Sequence, residues 1–190
     1  LEKKDSVFNI LAKKYPEATG DKSTSLDRFR LELAMGYIEK DNREKYGMYK
    51  SQLNDKTNLA DWQGEMAQGW VKGNTRLDDA ERIAKEALDI YAAQVNNPVS
   101  APYMSPSRVQ RRNRSLYNSS ADLYASILAA KGRFAEALKY EQPVIEHIKY
   151  INGDVYEHYV RTLTGLGDYA KAKEDAEKAM NGGVNTAIIV

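Results

Sequence analysis

The sequence predicts an all-α protein built from antiparallel helical hairpins. Apolar residues recur along nearly the whole chain at the spacing of an α-helix, and the two-residue alternation of a half-buried strand is hard to find. Capping-box signals and breaks that contain glycine or proline divide this pattern into paired segments. The chain has 190 residues, of which 42% are hydrophobic, and no cysteine, so it is long enough to bury a core without disulfides.

The first part of the chain predicts a single helix followed by a hairpin. The opening helix, near residues 4–15, ends at Tyr15 because the residue before Pro16 is pushed out of the helical region. Its apolar stripe consists of Val7, Phe8, Leu11 and Tyr15. The hairpin over residues 24–54 is indicated by the capping boxes Thr24-x-x-Asp27 and Asp41-x-x-Glu44, which satisfy amides of the first helical turn.

A weaker hairpin follows over residues 57–96. The box Asp78-x-x-Glu81 predicts the start of its second helix. The small residues of that helix form a seam consisting of Ala80, Ala84 and Ala87. Residues 97–105 show little periodicity and contain two prolines, which predicts a loop.

A long helix is predicted to begin after Ser105. Serine suits an N-cap here because Pro106 lacks only an amide that would be unpaired in the first turn. The helix should end near Gly132, and its predicted buried face consists of Val109, Leu116, Tyr117, Ser120, Ala121, Tyr124, Ile127 and Leu128. The next helix, from Phe134 to about Tyr150, contains Pro143, which should kink or split it.

The second half of the chain contains an internal repeat. Residues 121–146 align with residues 156–181 at an offset of 35. The offset superposes Tyr124 on Tyr159, Leu128 on Leu163, Gly132 on Gly167, Phe134 on Tyr169, Ala135 on Ala170 and Ala137 on Ala172. We therefore expect two similar hairpins, each with an aromatic residue that plugs the turn. The box Asp154-x-x-Glu157 predicts the start of the second copy.

These positions resemble the tetratricopeptide repeat. The family's large, medium, small and large residues fall on Ala121, Tyr124, Ala125 and Leu128, and on Tyr156, Tyr159, Val160 and Leu163, while its small second-helix residue falls on Ala137 and Ala172. The family's terminal proline and first-helix glycine are missing from both copies. The resemblance implies that residues 1–190 form a single repeat domain stacked as a right-handed superhelix. The clear repeats cover residues 116–150 and 152–182, and the weaker hairpins cover 24–54 and 57–96.

The resemblance also implies a ligand groove along the first helices of the hairpins. The equivalent positions are Ser119, Asp122, Ser126, Asp154, Glu157 and Arg161. Family members that clamp a carboxylate use lysine and asparagine in the groove, whereas this chain offers mostly acids and serines. The resemblance therefore favours a basic or polar protein or peptide as the partner.

A cluster of arginines at the start of the long helix suggests a second kind of contact. It consists of Arg108, Arg111, Arg112 and Arg114, and no acidic residue occurs between 97 and 114. Such a cluster fits either an anionic partner or a helix face exposed to solvent. The net charge of +1 argues against nucleic acid and for an acidic protein surface.

Neither a catalytic nor a cofactor motif is present in the sequence. His147 and His158 are the only histidines, and neither has the spacing of a metal-ligand pair. No stretch approaches 18 consecutive apolar residues, so no membrane span is predicted. We expect no catalytic residue, no cofactor and no metal site in this segment.

Three functional hypotheses remain open. The first is a noncatalytic helical-repeat module that binds a protein or peptide. The second is an accessory helical segment of a larger extracytoplasmic enzyme, because such hairpins resemble those that precede a thioredoxin-like domain in some redox proteins, and it favours a periplasmic location. The third is an all-α carbohydrate-associated protein.

The ends of the sequence predict that residues 1–190 are an internal window of a longer chain. A lone opening helix precedes the hairpins, and the closing segment is apolar where a capping helix would be polar. We therefore expect the apolar face of the last hairpin to be partly exposed or covered by a neighbouring copy of the chain. This face consists of Tyr159, Leu163, Ala176 and Met180.

Overall fold

The computed structural model describes residues 1–15, 26–54, 56–99, 102–148 and 152–185. These residues form nine α-helices and no β-strand, which confirms the predicted all-α class. The helices are α1 (Glu2–Lys14), α2 (Asp27–Glu39), α3 (Arg43–Ser51), α4 (Thr57–Lys72), α5 (Leu77–Asn96), α6 (Pro106–Ala130), α7 (Phe134–His147), α8 (Gly153–Gly165) and α9 (Tyr169–Asn181). Within the described residues, no helix combines the length and apolar character needed to cross a membrane.

The chain divides into two compact units. Unit 1 comprises Leu1–Trp62 and unit 2 comprises Gln63–Val190, so that α4 contributes residues to both. Within the described residues α2 packs against α3, α6 against α7 and α8 against α9. The hairpin over residues 57–96, the single repeat domain and the right-handed superhelix stay predictions.

In unit 1, α2 packs against both α1 and α3. Aromatic rings fill this core: Phe8 stacks on Phe29 with ring centroids 6.2 Å apart and meets Tyr49 edge-on at 5.7 Å. The predicted opening helix ends as expected, with Tyr15 as its C-cap, while Pro16 lies outside the described residues.

Asp5 is the polar centre of unit 1. Its buried carboxylate accepts hydrogen bonds from the hydroxyls of Tyr37 and Tyr49 and, at 2.5 Å, from Nζ of Lys45. Burial alone would raise the pKa of Asp5, but these hydrogen bonds outweigh it and lower the pKa to about 2. A single carboxylate on α1 thus ties α1 to both α2 and α3.

In unit 2, each helix from α5 to α9 packs against the next, and α6 also contacts α8. The seam alanines of α5 and the repeat alanines Ala137 and Ala172 are buried. Most of the predicted buried face of α6 is confirmed, and the exceptions are Leu116 and Tyr117, which are half-buried.

Two of the predicted helix caps need correction, because a nearby asparagine supplies the capping oxygen. Asn42, not Asp41, caps α3: its side chain accepts a hydrogen bond from the Lys45 amide at 3.0 Å, whereas Asp41 has a φ of 57° in the turn before it. Asn152, not Asp154, caps α8 and accepts from the amides of Asp154 and Val155 at 3.1 and 3.4 Å.

Of the other three predicted caps, one is confirmed, one is wrong and one lies outside the described residues. Ser105 caps α6 as predicted and accepts from the Arg108 amide at 3.4 Å. Asp78 lies inside the first turn of α5, where it pairs with Lys131 at 2.6 Å instead of capping the helix. Thr24 lies outside the described residues.

The turns of the two clear hairpins have the same backbone geometry. Gly132 and Gly167 have φ values of +76° and +79°, a region that favours glycine because it has no Cβ. Equivalent hydrogen bonds close the two turns, from Arg133 N to Leu128 O at 2.9 Å and from Asp168 N to Leu163 O at 3.0 Å. The two glycines that the offset of 35 superposes therefore lie in turns of the same backbone geometry.

The aromatic plug is present in only one of these turns. Phe134 lies against Gly165, where an added Cβ would come within 2.5 Å of its ring. Tyr169, at the equivalent position, is 68% exposed, so the prediction that it plugs its turn is wrong. Among the described residues no helix follows α9 to offer it a surface like that of Gly165.

Two further expectations about unit 2 are met only in part. Pro143 does not split its helix, since α7 runs through it from Phe134 to His147, and the predicted kink stays a prediction. Tyr159 and Leu163 are buried in a cluster with Ala172, so only Met180 leaves a strongly exposed apolar side chain on the predicted face of the last hairpin.

Candidate binding groove

An open groove of about 530 Å³ lies between α6, α7 and α8 of unit 2. One wall is polar and comes from α6, consisting of Arg111, Arg114, Ser115, Asn118 and Ser119. The floor is apolar and consists of Val144, Ile148 and Val155, with His147 and Asn152 beside it.

Helical spacing explains why these residues share one groove. Residues three and four apart are neighbours on a helix surface, and Arg111, Ser115 and Asn118 follow that spacing along α6. Val144 and His147 do the same on α7. The α8 wall begins at Asn152, whose side chain holds the first amides of that helix.

The charged side chains that line the groove are positive. No aspartate or glutamate of the described residues lines it. Arg111 and Arg114 form no ion pair with any residue that the structure describes, and both are exposed on α6. Their guanidinium groups are therefore available as donors to a ligand.

One ring nitrogen of His147 is hydrogen-bonded within its own helix. Its Nδ1 lies 2.6 Å from the Pro143 carbonyl oxygen, to which a protonated Nδ1 donates a hydrogen bond. Proline at position 143 cannot donate to the ladder of α7, but its carbonyl remains an acceptor. The bond fixes the imidazole at the edge of the groove and leaves Nε2 for a ligand.

A buried polar cluster lies one helical turn further along the same three helices. Asp122 follows Ser119 by three residues, Glu141 precedes Val144 by three, and His158 follows Val155 by three. We define this cluster as Asp122, Glu141, His158 and Thr162. Asp122 Oδ2 lies 3.0 Å from His158 Nδ1, and Glu141 and Thr162 have no exposed surface.

Glu141 is the unusual member of this cluster. Both of its carboxylate oxygens lack a hydrogen-bond partner among the described residues, and the Thr162 hydroxyl nearby is likewise unpartnered. Burial raises the pKa of Glu141 to about 7. The protonated form of Glu141 is therefore favoured in the folded protein over a wide range of acidic pH.

Asp122 dominates the ionisation of His158. Burial alone would lower the pKa of this imidazole, but the hydrogen bond to Asp122 and its negative charge outweigh burial and raise the pKa. The pair ties α6 to α8 beneath the groove.

The structure brings only some of the predicted contact residues into the groove. Of the six groove positions, Ser119 lines it; Asp122 is buried against His158 and is therefore not a free contact. Ser126 donates its hydroxyl proton to the Leu123 carbonyl at 2.8 Å.

The three remaining groove positions lie on α8, and none of them lines the groove. Glu157 and Arg161 form an ion pair 3.3 Å apart on that helix. Asp154 is exposed in the first turn, where its charge is favourable beside the helix N-terminus.

Two of the four arginines in the predicted cluster line the groove, and the other two do not. Arg111 and Arg114 line the groove, whereas Arg108 and Arg112 are exposed on α6 outside it.

The sequence did not indicate Asn118, His147 and Asn152 as lining residues, because helix pairing alone does not show which faces of α6, α7 and α8 meet. Glu141 could have been noticed, since it continues the buried stripe of Ala137 and Val144 on α7.

A larger hollow of about 700 Å³ in unit 1 is a weaker candidate site. Its charged groups are already matched: Glu32 pairs with Lys4 at 3.1 Å and with Arg28 at 3.4 Å, and Asp27 pairs with Arg30 at 2.9 Å. A ligand there would have to compete with these pairs.

The part of the chain that the structure describes contains no group of three acidic, histidine or cysteine side chains placed to hold a metal ion. Compared with protein-family models, curated proteins and solved structures, the chain gives no significant match.

Proposed function

We propose that this chain is a noncatalytic helical module that binds a segment of another protein in the groove of unit 2. The observation that carries the proposal is the combination of an apolar floor with arginines that lack ion-pair partners among the described residues. The half-buried Ile148 offers a surface for an apolar side chain, while Arg111 and Arg114 offer donors that would orient it.

The shape of the groove supports a polypeptide ligand. Sites for small molecules enclose most of the ligand surface, whereas this groove is open along its length between three helices. An extended or helical segment can lie in such a groove and bury side chains on its floor.

The chemistry of the lining supports binding over catalysis. Nucleophilic catalysis needs a hydroxyl or thiol hydrogen-bonded to a base. Ser115 and Ser119 make no such bond to His147 in the described structure, and the lining contains no carboxylate.

A peptide-library selection tests this function. The full chain is immobilised, and the selected peptides are tested for binding to the parent, to Ser119→Trp, which fills the groove, and to Gln110→Trp, a matched change at an exposed position of α6 outside it. We expect peptides that bind the parent and Gln110→Trp equally and Ser119→Trp at least about tenfold more weakly. Failure to select any peptide that discriminates the two tryptophan variants would overturn the proposed function.

A further inference from the structure

The two arginines of the groove form one recognition element. Arg111 and Arg114 are three residues apart on α6, so their side chains leave the same helix face and reach the same groove. Each guanidinium presents paired donors that match the two oxygens of a carboxylate.

The surroundings leave this positive charge uncompensated. Residues 97–121 contain no aspartate or glutamate, and the acidic side chains on α6 and α8 do not line the groove. Asp122 pairs with His158, and Glu157 pairs with Arg161. Asp154 is exposed in the first turn of α8 and does not line the groove. An incoming anion would therefore meet two arginines without displacing an internal partner in the described structure.

The apolar floor of the groove lies beside these arginines, so a well-matched ligand also needs an apolar group. Val144 and Val155 are already buried at 2% and 9% exposure, so the half-buried Ile148 provides the apolar surface of the floor that a ligand can reach. A ligand that only carried negative charge would leave this floor uncovered. A ligand with an apolar side chain next to a carboxylate would use both surfaces.

We infer that the groove recognises an acidic peptide segment, in which carboxylates bind Arg111 and Arg114 while a neighbouring apolar side chain packs on Ile148. This inference rests on the proposed function and names its partner class. Nucleic acid fits less well, because a net charge of +1 lacks the broad basic surface that phosphate backbones require.

Two synthetic peptide libraries test the inference with the full chain. In one, Asp and Glu flank random apolar residues; in the other, Asn and Gln replace every Asp and Glu. Binding is measured for the parent, for Arg111→Ala/Arg114→Ala and for the matched control Arg108→Ala/Arg112→Ala. The control removes the same charge from the same helix outside the groove, and circular dichroism checks that all three proteins fold.

We expect the acidic library alone to yield ligands for the parent. The groove double variant should bind them about 100-fold more weakly, at roughly tenfold for each lost charge-assisted contact, and the control within about threefold of the parent. Binding should also weaken as salt is added, because the attraction is partly exposed to solvent.

The other outcomes distinguish a failure of the acidic-peptide inference from a failure of the proposed function. Equal binding of both libraries that is lost in Ser119→Trp would overturn the acidic partner and keep peptide binding in the groove. Binding of neither library would overturn both. If inorganic phosphate displaces the acidic peptides at similar concentration, the ligand is a free anion and the inference is overturned. If polyuridylate binds more tightly than the peptides, and this binding depends on Arg111 and Arg114, the ligand is nucleic acid and the inference is likewise overturned.

Discussion

Nδ1 of His158 lies 3.0 Å from Oδ2 of Asp122, and this pair adjoins the fully buried carboxyl of Glu141. Three ionisable side chains from α6, α7 and α8 therefore meet in the interior of unit 2, one turn from the groove. Their energetics can be measured without knowing the ligand.

Replacing Glu141 with glutamine should stabilise the protein, and the gain should depend on pH. The folded-state pKa of Glu141 is about 7 and the ordinary value is 4.5, so the parent loses stability as pH rises from 4.5 to 7. Glu141→Gln removes the ionised form and should raise the free energy of unfolding by about 3 kcal/mol above pH 7, falling towards zero below pH 4.5.

Urea unfolding at a series of pH values measures this effect. Glu146→Gln changes an exposed carboxylate on the same helix and serves as the control, with an expected change of about 0.5 kcal/mol or less. A gain that is the same at acidic and alkaline pH would show that Glu141 does not titrate near neutrality.

Replacing Asp5 with asparagine should destabilise unit 1 by about 2–3 kcal/mol, because Tyr37, Tyr49 and Lys45 lose a charged acceptor. The pKa of Asp5 is lowered to about 2, so its contribution is present above 3.8 and is lost as pH falls towards 2. Thermal melts should show parent and variant converging at the acidic end. Glu2→Gln on the exposed side of α1 is the control, and an unchanged melting temperature for Asp5→Asn would contradict the central role of this carboxylate.

Enlarging the repeat alanines should strain both clear hairpins. Ala137 and Ala172 are 0% and 5% exposed, and Ala137→Leu and Ala172→Leu should each lower the free energy of unfolding by about 1–3 kcal/mol through overpacking. Ala135→Leu, at an exposed position of α7, is the matched control. If all three variants melt like the parent, these alanines are not at close helix contacts.

Adding one methyl group to two different glycines should have opposite effects. Gly165→Ala places a Cβ within 2.5 Å of the Phe134 ring and should destabilise the protein by about 1–3 kcal/mol. Gly69→Ala, inside α4 with nothing within 4 Å, should stabilise it by about 0.5–1 kcal/mol. Chemical denaturation of both variants measures the signs. In a Phe134→Ala background the penalty at Gly165 should disappear, and its persistence would point to a cause other than the ring.

The helices were predictable from the sequence because each depends on local information. Apolar periodicity placed most of them, and Ser105 with Pro106 located the start of α6 to the residue. Caps failed where two candidates were neighbours, as with Asp41 and Asn42, because only the backbone geometry of the preceding turn decides which side chain reaches the amides.

The groove was less predictable because it depends on how helices meet. The sequence indicated Arg111, Arg114 and Ser119 but not the contribution of α7, since Val144 and His147 enter only through the packing of α7 between α6 and α8. Asp122 was expected to face a ligand, and its partner His158 lies 36 residues away on another helix. No local pattern reveals a pair at that separation.

The arginines of α6 repel one another at spacings of three and four residues. Arg108 faces Arg111 and Arg112 across one turn, and Arg111 faces Arg114, while no acidic residue of α6 before Asp122 separates them. Like charges at such spacings weaken a helix by about 0.2–0.5 kcal/mol for each pair. Variants selected for heat resistance alone would therefore tend to lose these arginines early. At Arg111 and Arg114 such changes should raise thermal stability and weaken binding of an acidic partner, whereas at Arg108 and Arg112 they should raise stability and leave binding nearly unchanged.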